Sequence, residues 1–300
     1  HFLPQLTREN SFDYDRVCSG LRLMGWGLFK KIVIADHLAV FVQAVYQQPE
    51  SLTGPHYVLA TVFFAFQIYC DFSGYSDVAI GTARVLGYDL MTNFDRPYAA
   101  RSLAEFWKRW HISLSTWFRD YVYVPLGGNR VGQRRWLTNL MVVFLVSGLW
   151  HGASWTFVIW GALHGSFLVL SILLSPLRTR LSTATRLDRW PFVLNVVRTV
   201  WVFALVSFAW IFFRAESLDN ATAIVARLGT SWHLLFEPDW LRQAPFELGL
   251  SKGYFVTAFG LILLMEWIQG VSTTEQSERV YRFWSQSPSL RWTSYVALLL

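Results

Sequence analysis

Charge is the scarcest property of this 300-residue chain: Asp, Glu, Lys and Arg together make up 15%, where a soluble globular domain carries about 25%. That shortage excludes an ordinary water-soluble domain. Cysteine is nearly absent, with Cys18 and Cys70 alone, so a disulfide-stapled scaffold is excluded. No Gly-x-x-x-x-Gly-Lys-Ser/Thr loop and no Gly-x-Gly-x-x-Gly fingerprint occurs, which leaves nucleotide hydrolysis and dinucleotide chemistry without a motif. Ser73, Ser113 and Ser147 stand outside any Gly-x-Ser-x-Gly elbow, so a serine-hydrolase reading has no support. No cysteine or carboxylate stands at metal-ligand spacing from the membrane-depth histidines, which argues against a metal site. Internal repeats and low-complexity linkers are lacking too.

What is present is apolar. Hydrophobic residues reach 53% and aromatics 17%, with 16 Trp. This is more apolar side chain than a soluble core hides, and a bilayer is the natural solvent. The same aromatic wealth excludes intrinsic disorder. The net charge of +6 invites a nucleic-acid reading, but the basic residues are interleaved with Trp and Phe around apolar runs, as at a membrane surface.

Runs long enough to enter or cross the bilayer fall at 56–70, 137–149 with 153–174, 192–213 and 253–270. A less regular run at 20–46 contains Lys30, Lys31 and Asp36, which places it partly in the interface. Between the runs, 71–136 holds nine basic and six acidic residues, and 175–191 holds Arg178, Arg180, Arg186 and Arg189 against Asp188. Both read as cytoplasmic, as does 271–291, whereas 214–252, with four basic and five acidic residues, reads as the far side. If both flanks of 137–174 are cytoplasmic, that stretch enters and returns, with Trp150-His151-Gly152 at its deepest point. A single kinked span is the alternative.

Leu103, Trp107, Trp110, Leu114, Trp117, Phe118 and Tyr121 recur at helical spacing, which predicts an amphipathic interfacial helix over 101–121 with His111 on its apolar side. The following Gly127-Gly128 predicts a sharp turn.

His151 is the strongest anomaly. A titratable side chain within Val142–Phe157 must be neutral and partnered at that depth, and a neutral imidazole is a competent general base. The plainer reading is a histidine bonded to a neighbouring helix, and for His164, 13 residues on, that reading is the better one. The Tyr69–Asp77 stretch ends an apolar run with hydroxyls and two carboxylates. It reads either as a solvated helix end with a glycine break or as a polar cavity wall in which Asp71 or Asp77 orients another side chain.

Asn93-Phe-Asp-Arg-Pro-Tyr98, Arg101-Ser-Leu-Ala-Glu-Phe-Trp-Lys-Arg-Trp-His-Ile-Ser-Leu-Ser-Thr-Trp-Phe-Arg-Asp-Tyr121, Pro125-Leu-Gly-Gly-Asn-Arg130 and Ser147-Gly-Leu-Trp-His-Gly-Ala-Ser-Trp-Thr156 closely resemble the membrane-bound O-acyltransferase family, in its bacterial alginate O-acetyltransferase branch. The resemblance is dense over 60–165. It implies an all-α, polytopic bundle with re-entrant and interfacial helices, in which 1–300 is one membrane-embedded domain lacking N-terminal helices and a final span. It also implies acyl transfer from a cytoplasmic thioester, acetyl-CoA or an acyl carrier, toward a hydroxyl of an extracytoplasmic polysaccharide, directly or through a periplasmic partner, in a bacterial inner membrane. By motif, His151 is the catalytic histidine and His111 the second polar position. Trp107, Trp110, Ser147, Trp150, Asp71 and Ser73 are the candidate substrate-binding residues. Lys108, Arg109, Arg119, Arg130, Arg134 and Arg135 form a cationic face that suits an acidic carrier or the phosphates of acetyl-CoA; positive-inside topology accounts for most of them equally well. A non-catalytic export scaffold or transporter for an acyl group is the competing class.

Overall fold

The computed structural model describes residues 3–7, 9–48, 50, 52–186, 189–237, 248 and 250–271. Among these, all regular structure is helical, as expected of a polytopic membrane chain. Four helices are long and apolar enough to cross a membrane: Gly54–Val85, Trp155–Leu173, Pro191–Arg214 and Lys252–Gly270. The charged 271–291 segment and the terminal apolar run lie outside the described residues, apart from residue 271. The chain divides into two compact units, His1–Phe41 with Phe66–Leu90 and Phe236–Leu300, and Val42–Ala65 with Met91–Leu235.

In the first unit, α1 (Tyr14–Leu28) begins at Asp13, whose carboxylate accepts the Arg16 backbone N–H, a standard N-cap. It runs through a π-helical segment, Phe29–Ala35, into α2 (Asp36–Tyr46). The 20–46 run is therefore one helical path, and its lysines are neutralised within the protein. Lys30 is 3% exposed, with Nζ 2.8 Å from the Asp77 carboxylate and 2.8 Å from the Ser73 hydroxyl. Lys31 bridges Asp36 and Asp71, each at 2.8 Å.

Those partners sit on α3 (Gly54–Val85), which does not end or break near Cys70 or Gly74 but continues to Val85. Gly74 is a packing site: a Cβ there would meet the Gly27 carbonyl oxygen at 2.6 Å, and one at Gly20 would meet that of Gly81 at 2.6 Å. Small residues let two helix backbones touch where lipid offers no hydrophobic drive. The charges that appeared to end the helix are matched by Lys30 and Lys31 on the helix beside it.

In the second unit, α4 (Leu103–Arg109) and α5 (Ile112–Phe118) replace the single helix expected over 101–121. α6 (Gln133–His151) and α7 (Trp155–Leu173) form an antiparallel hairpin, since Gly148 lies against Phe157, Gly161 against Phe144 and Gly165 against Met141. A single kinked span is thereby excluded. Each arm has 19 residues, about 28 Å of helix. The Gly127-Gly128 turn, with φ of +100° and +55°, is held to α6 by Asn139 Nδ2, which donates to the Leu126 and Gly128 carbonyls. α8 (Ser175–Ala184) leads to α9 (Pro191–Arg214), which packs on α7, and α10 (Leu218–Arg227) follows. The last described helix, α11 (Lys252–Val271), belongs to the first unit.

Candidate functional site

The second unit contains a cavity of about 120 Å³, built where α4 and α5 meet α6. Trp107, Trp110, His111, Leu114, Ser115 and Phe118 line one side, and Val143, Phe144, Ser147 and His151 line the other. Ser147 and His151 share a face because they are four residues apart on one helix.

The break between α4 and α5 positions His111. α4 starts with an N-cap: Ser102 Oγ accepts the Glu105 N–H at 3.1 Å, and a Glu105 carboxylate oxygen reaches back to accept the N–H of Arg101, the residue before the cap, at 2.8 Å. The helix ends at Trp110, which is extended, and His111 takes a left-handed conformation with φ of +44°. A non-glycine residue holds that conformation only when its surroundings compensate. Asn93 does so, its backbone carbonyl accepting the Ile112 N–H at 2.9 Å and its Oδ1 accepting the Ser113 N–H at 3.1 Å and the Ser113 hydroxyl at 2.9 Å. The backbone donor identifies that atom as the amide oxygen. His111 Nδ1, 3.2 Å from the same oxygen, therefore carries the proton, and Nε2 keeps its lone pair. Burial, and then the proximity of His151, push the His111 pKa down to about 4, so the ring is neutral at ordinary pH.

His151 is the last residue of α6, before Gly152 and the Ser154 cap that starts α7. No hydrogen bond from the described residues orients it. Its ring is held instead by the near-perpendicular rings of Trp150, Trp160 and Phe213, at centroid separations of 5.0, 5.0 and 5.2 Å. Trp107, whose ring lines the cavity, has its Nε1 buried and without an acceptor. The site thus offers two imidazoles and a serine hydroxyl within largely apolar walls, with the Trp107 N–H turned away from the cavity.

Of the residues singled out in the sequence, the cavity gathers His111, His151, Trp107, Trp110 and Ser147. Trp150 touches the His151 ring but turns outward, 58% exposed. Asp71 and Ser73 belong to the first unit, where they serve Lys31 and Lys30. The Asp71 or Asp77 expected to orient another side chain do so for lysines. His164 is fully buried on α7 and bonded to no neighbouring helix. The positioning role of Asn93 was not drawn from the sequence, although it opens one of the quoted motifs; a polar residue before Phe-Asp-Arg-Pro was the available signal.

The family model of the membrane-bound O-acyltransferases matches residues 2–213. The chain is 42% identical over 214 residues to a probable alginate O-acetylase of Azotobacter vinelandii, covering 71% of this chain and 40% of that protein. It is 40% identical over 226 residues to a peptidoglycan O-acetyltransferase of Helicobacter pylori, covering 74% and 41%. To a teichoic acid D-alanyltransferase of Streptococcus thermophilus it is 37% identical over 115 residues, covering 36% and 28%. The chain spans about 40% of the length of the first two relatives. With the family model matched across both histidines and the cavity between them, the chain belongs to the membrane-bound O-acyltransferase family.

Proposed function

We propose that this protein moves an acyl group, acetyl in the first instance, from a thioester to a hydroxyl, with His151 as general base. The observation that carries the reading is the convergence of His151 and neutral His111, with Ser147 beside them, on one apolar cavity. The acceptor hydroxyl donates its one proton to a His151 ring nitrogen, which aims its oxygen at the thioester carbonyl, and the neutral His111 completes the polar side of the cavity. His151 takes the hydroxyl proton as the C–O bond forms. Negative charge on the carbonyl oxygen meets the Ser147 hydroxyl, a donor whose effect is large where water is excluded. The C–S bond then breaks, and the departing thiolate receives the proton from His151. The bond count closes with one ester formed, one thioester lost and one thiol released.

The donor in this reading is acetyl-CoA or an acylated carrier, approaching the cationic face around Arg130, Arg134 and Arg135. The acceptor is an extracytoplasmic glycan or a periplasmic partner that passes the acetyl on, and the membrane is the bacterial inner membrane. Support comes from the relatives, named for alginate and peptidoglycan O-acetylation. The test is His151→Ala in the full-length protein, purified and supplied with labelled acetyl-CoA or labelled acyl carrier. Label transfer, or slow hydrolysis of the thioester, is expected from the parent and absent from the variant. A variant that still transfers label removes His151 from the mechanism, and a parent inert toward both donors favours the export scaffold.

A further inference from the structure

Behind the cavity, Trp107, Trp160, Trp210 and His164 share an unusual property: among the described residues none of their ring nitrogens is hydrogen-bonded. Trp107 Nε1, Trp160 Nε1, Trp210 Nε1 and both ring nitrogens of His164 are buried without partners. A buried indole is ordinarily fixed at its N–H. Here no N–H hydrogen bond among the described residues fixes Trp107 or Trp160, and His164 is a ring that both of them touch. It meets Trp107 at 4.8 Å and 82°, and Trp160 at 4.9 Å and 70°. Trp107 lines the cavity, and Trp160 is one of the rings on which His151 rests. Phe106, Phe144 and Trp210 lie within 6.4 Å of the same imidazole, so α4, α6, α7 and α9 all meet at this residue. His164 itself is 0% exposed.

We propose that His164 is a positioning residue of the acyl-transfer cavity. Its flat ring wedges Trp107 and Trp160 steeply against itself, setting both the indole ring that walls the cavity and the surface that orients His151. Two desolvated nitrogens burden the fold, and the five-membered imidazole is the smallest aromatic ring available between three indoles. The position requires a thin, flat side chain. The inference rests on the function proposed above for its catalytic readout, but not for its spectroscopic one.

Three variants of the full-length protein test it. His164→Leu fills comparable volume without a flat face, His164→Phe keeps the face, and His164→Ala removes both. His164→Leu and His164→Ala are expected to lower kcat by about 100-fold, the effect of a displacement near 1 Å in a catalytic site, with KM for the thioester changed less than threefold. His164→Phe is expected to restore kcat to within about tenfold of the parent, since ring overlap replaces most of the wedge. Near-UV circular dichroism from the coupled indoles should be lost in the Leu variant and kept in the Phe variant, whether or not any acetyl transfer is detected. If the parent fails to transfer acetyl while this signal behaves as stated, the functional reading fails and the wedge stands. The wedge is overturned if Leu and Phe behave alike in circular dichroism, or if losses in kcat simply track the unfolding temperatures of the three variants.

Discussion

Gly161→Ala should separate the two arms of the α6–α7 hairpin and uncouple the site from its support. A Cβ at Gly161 would fall on the Phe144 carbonyl oxygen, with the Gly148 Cα at 3.3 Å. Both are backbone atoms, so no rotamer change relieves the overlap, and the arms must part by about 1 Å to regain ordinary contact. His151 on one arm rests on Trp160 of the other, at 5.0 Å, and Trp160 is the residue next to the substitution. The displacement therefore reaches the proposed base directly. Overpacking of this kind costs about 1–3 kcal/mol, which corresponds to a fall of roughly 2–5 °C in the unfolding midpoint for a chain of this size. A displacement near 1 Å at a reacting group lowers the rate by about 100-fold. Acetyl transfer and thermal unfolding of the detergent-solubilised full-length protein measure the two effects together. Gly25→Ala is the control, because a Cβ there meets nothing within 4 Å and a better helix former should gain up to ~1 kcal/mol. If Gly161→Ala matches Gly25→Ala in both measurements, close packing of the arms does not position the site.

His111, held near pKa 4 by burial and then by His151, should stay neutral at neutral pH. Loss of rate through protonation of either histidine should begin only below about pH 5, since burial lowers His151 to about 4 as well, and the limb should persist in His111→Asn; a limb at the ordinary histidine value of 6.5 would refute the assignment. The sign for stability follows, since the unfolded chain takes up the proton near 6.5 and the folded one near 4, so the contribution of this group shrinks as pH falls between those values. Asn93→Ala strips the acceptor from Ser113 and from His111 Nδ1; a loss of about 1–3 kcal/mol with at least a tenfold slower transfer is expected, read by thermal unfolding and initial rates. Lys30 and Asp77 are 3% and 21% exposed at 2.8 Å, so Lys30→Met or Asp77→Asn alone should lower stability by about 3–5 kcal/mol. The double variant Lys30→Met/Asp77→Leu should recover much of that loss, and additive losses would show that the two side chains are not coupled.

Much of the architecture is legible in the sequence because lipid and turn chemistry act locally. The apolar runs at 192–213 and 253–270 became α9 and α11 within one or two residues, and Gly127-Gly128 turned where two glycines allow it. His151 stood out because an imidazole amid Val, Leu and Trp is costly wherever the helix lies. What escaped the sequence depended on distant residues. The break at His111 needs Asn93, 18 positions earlier; helical periodicity within 101–121 reports the stripe and is silent about a left-handed residue inside it. The extension of α3 past Cys70 needs Lys30 and Lys31 on α1's continuation to neutralise Asp77 and Asp71, and a window that scores hydropathy along one segment reads those carboxylates as an end.

The same distinction explains why the two histidines differ in how they are held. His111 is oriented by a polar carboxamide whose hydrogen bonds fix its backbone, its tautomer and its neighbour Ser113 together. His151 is oriented by three aromatic rings that stand nearly perpendicular to it, with no hydrogen bond to either nitrogen among the described residues. A residue that must accept a proton and return it is best held by contacts that leave both nitrogens uncommitted. A residue that must keep one nitrogen unprotonated is best held by an acceptor on the other. Perpendicular rings for the proton carrier and a carboxamide for its companion thus divide the work between His151 and His111. The division rests on Trp160 and Asn93 as much as on the histidines themselves.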